Sequence, residues 1–160
     1  MCKGKLASAL IFAVLLGVPG TLLAEEPVIP PVSPRSADTL VMLPDGSTVR
    51  VELAKTEAEQ NYGLMGRSSL PEGRGMLFVH DRSGEYRYWM YHCLIALDIV
   101  WMDEAHRVVE ISAKTPPCRG QANSCPNYGG NAQARYVLEL PAGAAGKHGV
   151  AVGQTIRFGL

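Results

Sequence analysis

Residues 88–103 read YWMYHCLIALDIVWMD, an apolar run that the fold has to cover. Aromatic, β-branched and long aliphatic side chains follow one another here, which is the composition of a buried strand. Three groups with chemistry of their own interrupt it: the His92 imidazole, the Cys93 thiol and the Asp98 carboxylate. In an extended strand neighbours point to opposite faces, and only every second residue shares one. His92 and Cys93 therefore diverge if the segment is straight, whereas Met90 and His92 lie side by side.

The rest of the chain supplies partners for such a strand. Residues 74–80 (RGMLFVH), 85–91 (EYRYWMY), 95–102 (IALDIVWM), 107–112 (RVVEIS), 135–140 (RYVLEL) and 154–158 (QTIRF) are strand candidates. Residues 81–84 (DRSG) and 103–106 (DEAH) read as turns between neighbours. Earlier, Val41, Leu43, Val49, Val51 and Leu53 alternate with other residues on both sides of Pro44-Asp45-Gly46, which predicts a hairpin. Thr56 with Glu59 three residues later is a capping box, so a helix of about two turns starts there and ends at Gly63 or Gly66. Residues 114–134 form one long loop, and AGAAGKHG offers a short helical turn before the last strand. The expected class is mainly β, a compact antiparallel sandwich or barrel-like domain with one or two short helices.

The first residues have a different character. Lys3 and Lys5 precede an apolar run from Leu6 to Val18, and Ala24 is a small residue at a candidate cleavage site. Residues 1–24 are expected to be a signal peptide, with an uncleaved anchor as the alternative. Residues 25–38, EEPVIPPVSPRSAD, read as an extended Pro-rich linker, and 39–160 as a single domain. The location implied is secreted or periplasmic. Losing Lys3 and Lys5 leaves 13 of the 15 basic side chains against 15 acidic ones. That balance carries no electrostatic footprint for nucleic acid. No second segment is apolar enough for a membrane span, and the expected partner is a small ligand or a protein, bound by a monomer.

Cys2 lies in the presumed signal, which leaves Cys93, Cys118 and Cys125. In an oxidising compartment an odd number gives one disulfide and one thiol. Cys118 with Cys125 would brace the long loop, leaving Cys93 as a buried thiol; pairings of Cys93 with either remain open.

Several blocks in order, VELAKTEAEQNYGLMGR, GMLFVH, YWMYHCLIALDIVWMDEAHRVVEI, the PPC and CPNY pair, and ARYVLELPAG, resemble domain-of-unknown-function family 192 over about residues 39–158. The resemblance implies a compact β-sandwich with a short helix, and implies no particular activity. This chain departs from the family pattern at Tyr91-His92, where a Lys-Asn pair is usual, at Ala96, where Pro is usual, and at Gln154, where Asp is usual.

Four residues are candidates for a ligand pocket: Arg67, Trp89, His92 and Asp98. A buried carboxylate needs a partner or turn amides, and the Arg67 fork is the expected partner of Asp98, giving a polar floor walled by Trp89, Tyr91 or Tyr136. A structural ion pair that fixes register is the plainer account of the same residues. Glu139, alternating with apolar residues, is expected to face solvent. No cofactor or metal is expected. The alternative is copper(I) held by Met90 and His92, with His80, Met65, Met76 or Met102 adding ligands, against core-filling methionines and a singly hydrogen-bonded imidazole. No Gly-x-Ser-x-Gly elbow or His-Glu-x-x-His pair occurs, so catalysis is not expected. A Cys93-dependent enzyme is the remaining alternative to a binding or interaction domain.

Overall fold

The structure, a computed structural model, describes residues 38–160. The expected signal peptide and nearly all of the expected linker lie outside them. Nine strands and two short helices follow one another as β1 Thr39–Met42, β2 Thr48–Ala54, α1 Glu57–Tyr62, β3 Arg74–Gly84, β4 Arg87–Trp89, β5 Leu97–Met102, β6 Val108–Thr115, β7 Asn127–Gly129, β8 Ala134–Pro141, α2 Ala144–Lys147 and β9 Arg157–Phe158. Seven strands form one sheet in the order β6-β5-β8-β3-β2-β1-β9, and β4 pairs with β7 in a separate ribbon. The large sheet curls into a half-barrel. Its two outer edges meet at one end: Val108 N donates to Gln154 O and Gly153 N to Val108 O, both at 2.8 Å, and Ile156 N to His106 O at 3.1 Å.

The fold is mainly β with two short helices, as expected. One pairing departs from the antiparallel expectation, because β2 and β3 run parallel. A parallel pair needs a long crossover, and residues 55–73 with α1 supply it. The local signals that start this crossover hold. Thr56 Oγ1 accepts from Glu59 N, while the Glu59 carboxylate accepts from Thr56 N, and Gly63 ends α1 at a φ of 50°. Two predicted turns fare differently. Asp103–His106 is a turn, with Asp103 accepting from Ala105 N and Arg107 N. Residues 81–84 instead continue β3, and the register against β8 shifts between Val79 and Gly84.

Alternation sorts the side chains into two cores. Val51, Leu53, Leu77, Val100, Leu138 and Leu140 point into the half-barrel, closed by Ala145, Val150 and Ile156. Met76, Phe78, Leu97, Ile99, Trp101 and Val137 point outward, under Tyr88 of β4 and Leu64 of the loop after α1. All six residues of β5 are buried as a result, because both of its faces are covered. This is the physical reason that 97–102 shows no polar alternation.

The run 88–103 is nonetheless not one strand. After β4 the chain turns, with Cys93 N donating to Met90 O at 3.1 Å and His92 at a φ of 59°. The β4 face is resumed only by a bridge from Tyr91 to Cys118.

Candidate functional site

Two shallow clefts adjoin on the outer face, one on each side of Gly66. They are positioned by the loop that follows α1. Leu64 plugs the outer core, and burying a leucine side chain stabilises by about 1.5–3 kcal/mol, enough to fasten a short loop. Gly66, at a φ of 71°, donates its N–H to His92 O at 2.9 Å. That bond ties the loop to the turn that carries His92.

The first cleft, of about 500 Å³, is lined by Glu52, Arg67, Arg74 and the apolar walls Tyr62, Met65 and Leu70. Arg67 donates Nη1 to Glu52 Oε1 and Nη2 to Glu52 Oε2, both at 2.6 Å. Planar fork meets carboxylate here in the two-bond geometry that arginine favours. Arg74 Nη2 stands 3.9 Å from the same carboxylate, and its Nη1 donates to Asp38 Oδ2 at 3.1 Å. The Arg67 hydrogen bonds hold the Glu52 carboxyl below its ordinary value, against the opposing effect of its partial burial.

Two strands from Glu52, on the same face of the sheet, is a carboxyl that the sequence places wrongly. Glu139 was expected at the solvent face; it is 5% exposed. Register explains the difference. Glu52 pairs with Met76, Met76 with Glu139 and Glu139 with Ile99, so one row crosses β2, β3, β8 and β5 on the outer face. In a sheet whose outer face is itself covered, the residue alternating with the inner core is not in water. Burial pushes the Glu139 carboxyl up to about 7, opposed in part by the Arg67 charge.

The second cleft, of about 560 Å³, is lined by Gly66, Tyr91, His92, Cys93, Leu94 and the loop of Cys118–Gln121. Cys118 and Cys125 form the expected disulfide, with Cα atoms 5.7 Å apart, and Cys118 N donates to Met90 O. Cys93 remains a buried thiol. Trp89 and Tyr91 rings lie 5.2 Å apart, and the Tyr91 and His92 rings 3.9 Å apart. Trp89 Nε1 is buried without a hydrogen-bond partner among the described residues.

The structure thus brings Arg67, His92 and, through Tyr91, Trp89 to one region, and leaves Asp98 out of it. Asp98 points into the half-barrel with Val100 and is fully buried. Its partner is not Arg67, as expected, but two backbone groups: Lys114 N donates to Oδ1 at 2.6 Å and Ala145 N to Oδ2 at 2.8 Å. Lys114, at a φ of 50°, is in the stretch where β6 holds one residue more than β5, with Leu97 paired to Thr115 and Ile99 to Ser112. A bulged residue loses its ladder acceptor, and the Asp98 carboxylate replaces it.

The ligand pair for copper also comes apart. Met90 is fully buried in the outer core, while His92 is exposed. The turn between them, with His92 in the left-handed region, breaks the alternation that would have set them side by side. Histidine and asparagine are among the residues that tolerate that region best, so the turn accounts for the residue type at position 92. Among the described residues no group of three His, Cys, Asp or Glu side chains could hold a metal ion.

Glu52 and Arg74 are the site residues that sequence patterns missed. Each is one charged residue in an alternating strand, and nothing local distinguishes a covered outer face from a wet one.

A curled mainly-β domain with two clefts on its covered outer face defines the class: a small half-barrel domain whose cleft residues come from loops and neighbouring strands. The chain belongs to the DUF192 family, described as an uncharacterized ACR, whose model matches residues 40–158. A solved protein of unknown function from Novosphingobium aromaticivorans DSM 12444 is 30% identical, with a TM-score of 0.66, covering 84% of this chain and 94% of that one. A candidate transcription regulator from Sinorhizobium meliloti 1021 is 25% identical, with a TM-score of 0.70, covering 79% of this chain and 98% of that one. No curated protein matches the chain.

Proposed function

We propose that this protein is a small ligand-binding domain that works outside the cytoplasm, with its site at the junction around Gly66. The observation that carries this reading is the Gly66 N–His92 O bond, which joins the Arg67–Glu52 cleft to the Tyr91–His92 cleft. Concave surface lined by apolar and aromatic groups, with a few oriented charges, is the usual makeup of a small-molecule site. The Cys118–Cys125 disulfide is compatible with an oxidising location, and among the described residues no helix is long and apolar enough to cross a membrane. The Sinorhizobium description does not extend to nucleic acid binding here, because the charges balance and the cleft arginines are already paired with acids.

The test is a thermal-shift screen of small molecules against the secreted form, followed by Arg67→Ala and His92→Ala variants. A genuine ligand raises the melting temperature of the parent protein and loses most of that effect in both variants. If no compound stabilises the parent, or if neither variant weakens a compound that does, the junction is not the site. Iodoacetamide labelling of native protein separates the enzymatic alternative: rapid modification of Cys93 would favour a reactive thiol over this reading.

A further inference from the structure

The three cysteines of the described residues converge beside the His92 cleft, as one buried thiol and one bridge. The turn at His92 brings them together. Because His92 is left-handed, the chain folds back and Cys93 N donates to Met90 O at 3.1 Å. Cys118 N donates to the same oxygen, also at 3.1 Å, and the bridge from Tyr91 to Cys118 sets that strand alongside the turn. Two nitrogens on one oxygen are separated by at most twice that distance. Such a spacing is comparable with that of a disulfide, whose Cα atoms stand roughly 4.4–6.8 Å apart. Cys118 packs against the apolar cluster that contains Cys93, and both residues line the same cleft. Cys125 is held elsewhere, its N–H donating to Ala122 O within the loop. Cys93 is 5% exposed, so dissolved reagents reach its thiol slowly. A disulfide anchored at the same carbonyl has the advantage of a group already in place.

We propose that Cys93 is the exchange partner of the Cys118–Cys125 bridge, so that the chain has two disulfide isomers, Cys118–Cys125 and Cys93–Cys118. The Cys93 thiol first gives its proton to solvent, and the thiolate attacks Sγ of Cys118. The Cys93–Cys118 bond forms as the Cys118–Cys125 bond breaks. The electron pair of the broken bond leaves on Cys125 Sγ, which takes up a proton. One disulfide and one thiol are present before and after, so no outside oxidant or reductant enters. The consequence falls on the cleft wall. Arg119, Gly120 and Gln121 line the cleft between the two bridged cysteines. After exchange their near end is bonded to the turn that carries His92, and their far end is released from Cys118. The inference does not depend on the cleft holding a ligand.

Trapping the exchange in the native protein tests this. Prolonged incubation with dilute iodoacetamide at pH 8, followed by peptide mass spectrometry without reduction, should find alkylated Cys125 in molecules that carry a Cys93–Cys118 linkage. Alkylation removes the released thiol, so this product should accumulate with time. A Cys125→Ser variant provides the second measurement. Treated with oxidised glutathione, it should link Cys93 to Cys118, at least tenfold faster when folded than in urea, with circular dichroism reporting the folded state. Cys118→Ser should leave Cys93 and Cys125 unlinked under the same treatment. If Cys125→Ser is misfolded, the trapping of the parent protein decides alone. Alkylation confined to Cys93, with the Cys118–Cys125 bridge intact, overturns the exchange. A folded Cys125→Ser protein whose Cys93 and Cys118 stay unlinked, or link no faster than in urea, does the same.

Discussion

Two buried carboxylates, Asp98 and Glu139, meet different surroundings. Asp98 is fully buried and accepts from two backbone N–H groups, so it is structural. Glu139 is nearly as buried, and that burial pushes it from an ordinary 4.5 up to about 7. Within its apolar run Asp98 is expected to need a partner or turn amides, because an unpaired charge there is too costly. The partners are backbone groups and not the expected Arg67, since donors 16 and 47 residues away are invisible in a linear pattern. Glu139 is expected in solvent from its alternation but is buried, because its surroundings are set by β3 and β5 on either side and not by its neighbours in β8. The raised value has a signed consequence for stability. An acid whose folded-state value lies above its unfolded one binds its proton more tightly when folded, so its favourable contribution is complete below about 4.5 and is lost as pH rises through about 7. The full span corresponds to a loss on the order of 3 kcal/mol. Urea denaturation at pH 5 and pH 8 should show this component in the parent protein and not in Glu139→Gln, which should be the more stable of the two at pH 8. Identical pH profiles for both would mean that Glu139 is better solvated than its position indicates.

At the level of elements, Asp98 links three pieces of the fold: β5 that carries it, the bulged stretch of β6, and the start of α2. Asp98→Ala should leave two buried N–H groups without acceptors and lower the unfolding free energy by about 2–5 kcal/mol. In a double-mutant cycle, Asp98 and Arg67 should couple by less than about 0.5 kcal/mol, because their partners are separate. A larger coupling would restore the ion pair that the sequence suggested. Element types were largely legible. The hairpin around Pro44-Asp45-Gly46 and the helix capped by Thr56 depend on contacts within four residues, and both formed. Continuity was less so. The apolar run 88–103 contains a turn that no glycine or proline marks, because His92 itself adopts the left-handed conformation. Residues 81–84 have turn composition yet extend β3, where pairing with β8 outweighs local preference. Within the long loop 114–134, the short strand β7 was missed; its three residues gain their conformation from β4.

The whole molecule is two cores on one curled sheet, and the outer core depends on a thin cover of the β4–β7 ribbon and the loops beside it. The Cys118–Cys125 disulfide fastens one of those loops. Replacing both cysteines with serine should destabilise by about 2–3 kcal/mol in the chain-entropy account. Because the bridge spans only seven positions beside the His92 cleft, His92-dependent ligand binding should weaken more than global stability suggests. Equal stability of the parent protein in the presence and absence of reductant would contradict this. Caps, turns, strand-forming runs and a plausible disulfide were all present in the linear order, since each rests on residues close together along the chain. Family membership was legible for a related reason: the blocks occur in a fixed order over most of the domain. The parallel β2–β3 pairing, the covered outer face, the burial of Glu139, the meeting of the sheet's outer edges and the assembly of Glu52, Arg67 and Arg74 were not. They depend on which strands become neighbours, and alternation only says which residues share a face, not whether that face ends in water or beneath another layer.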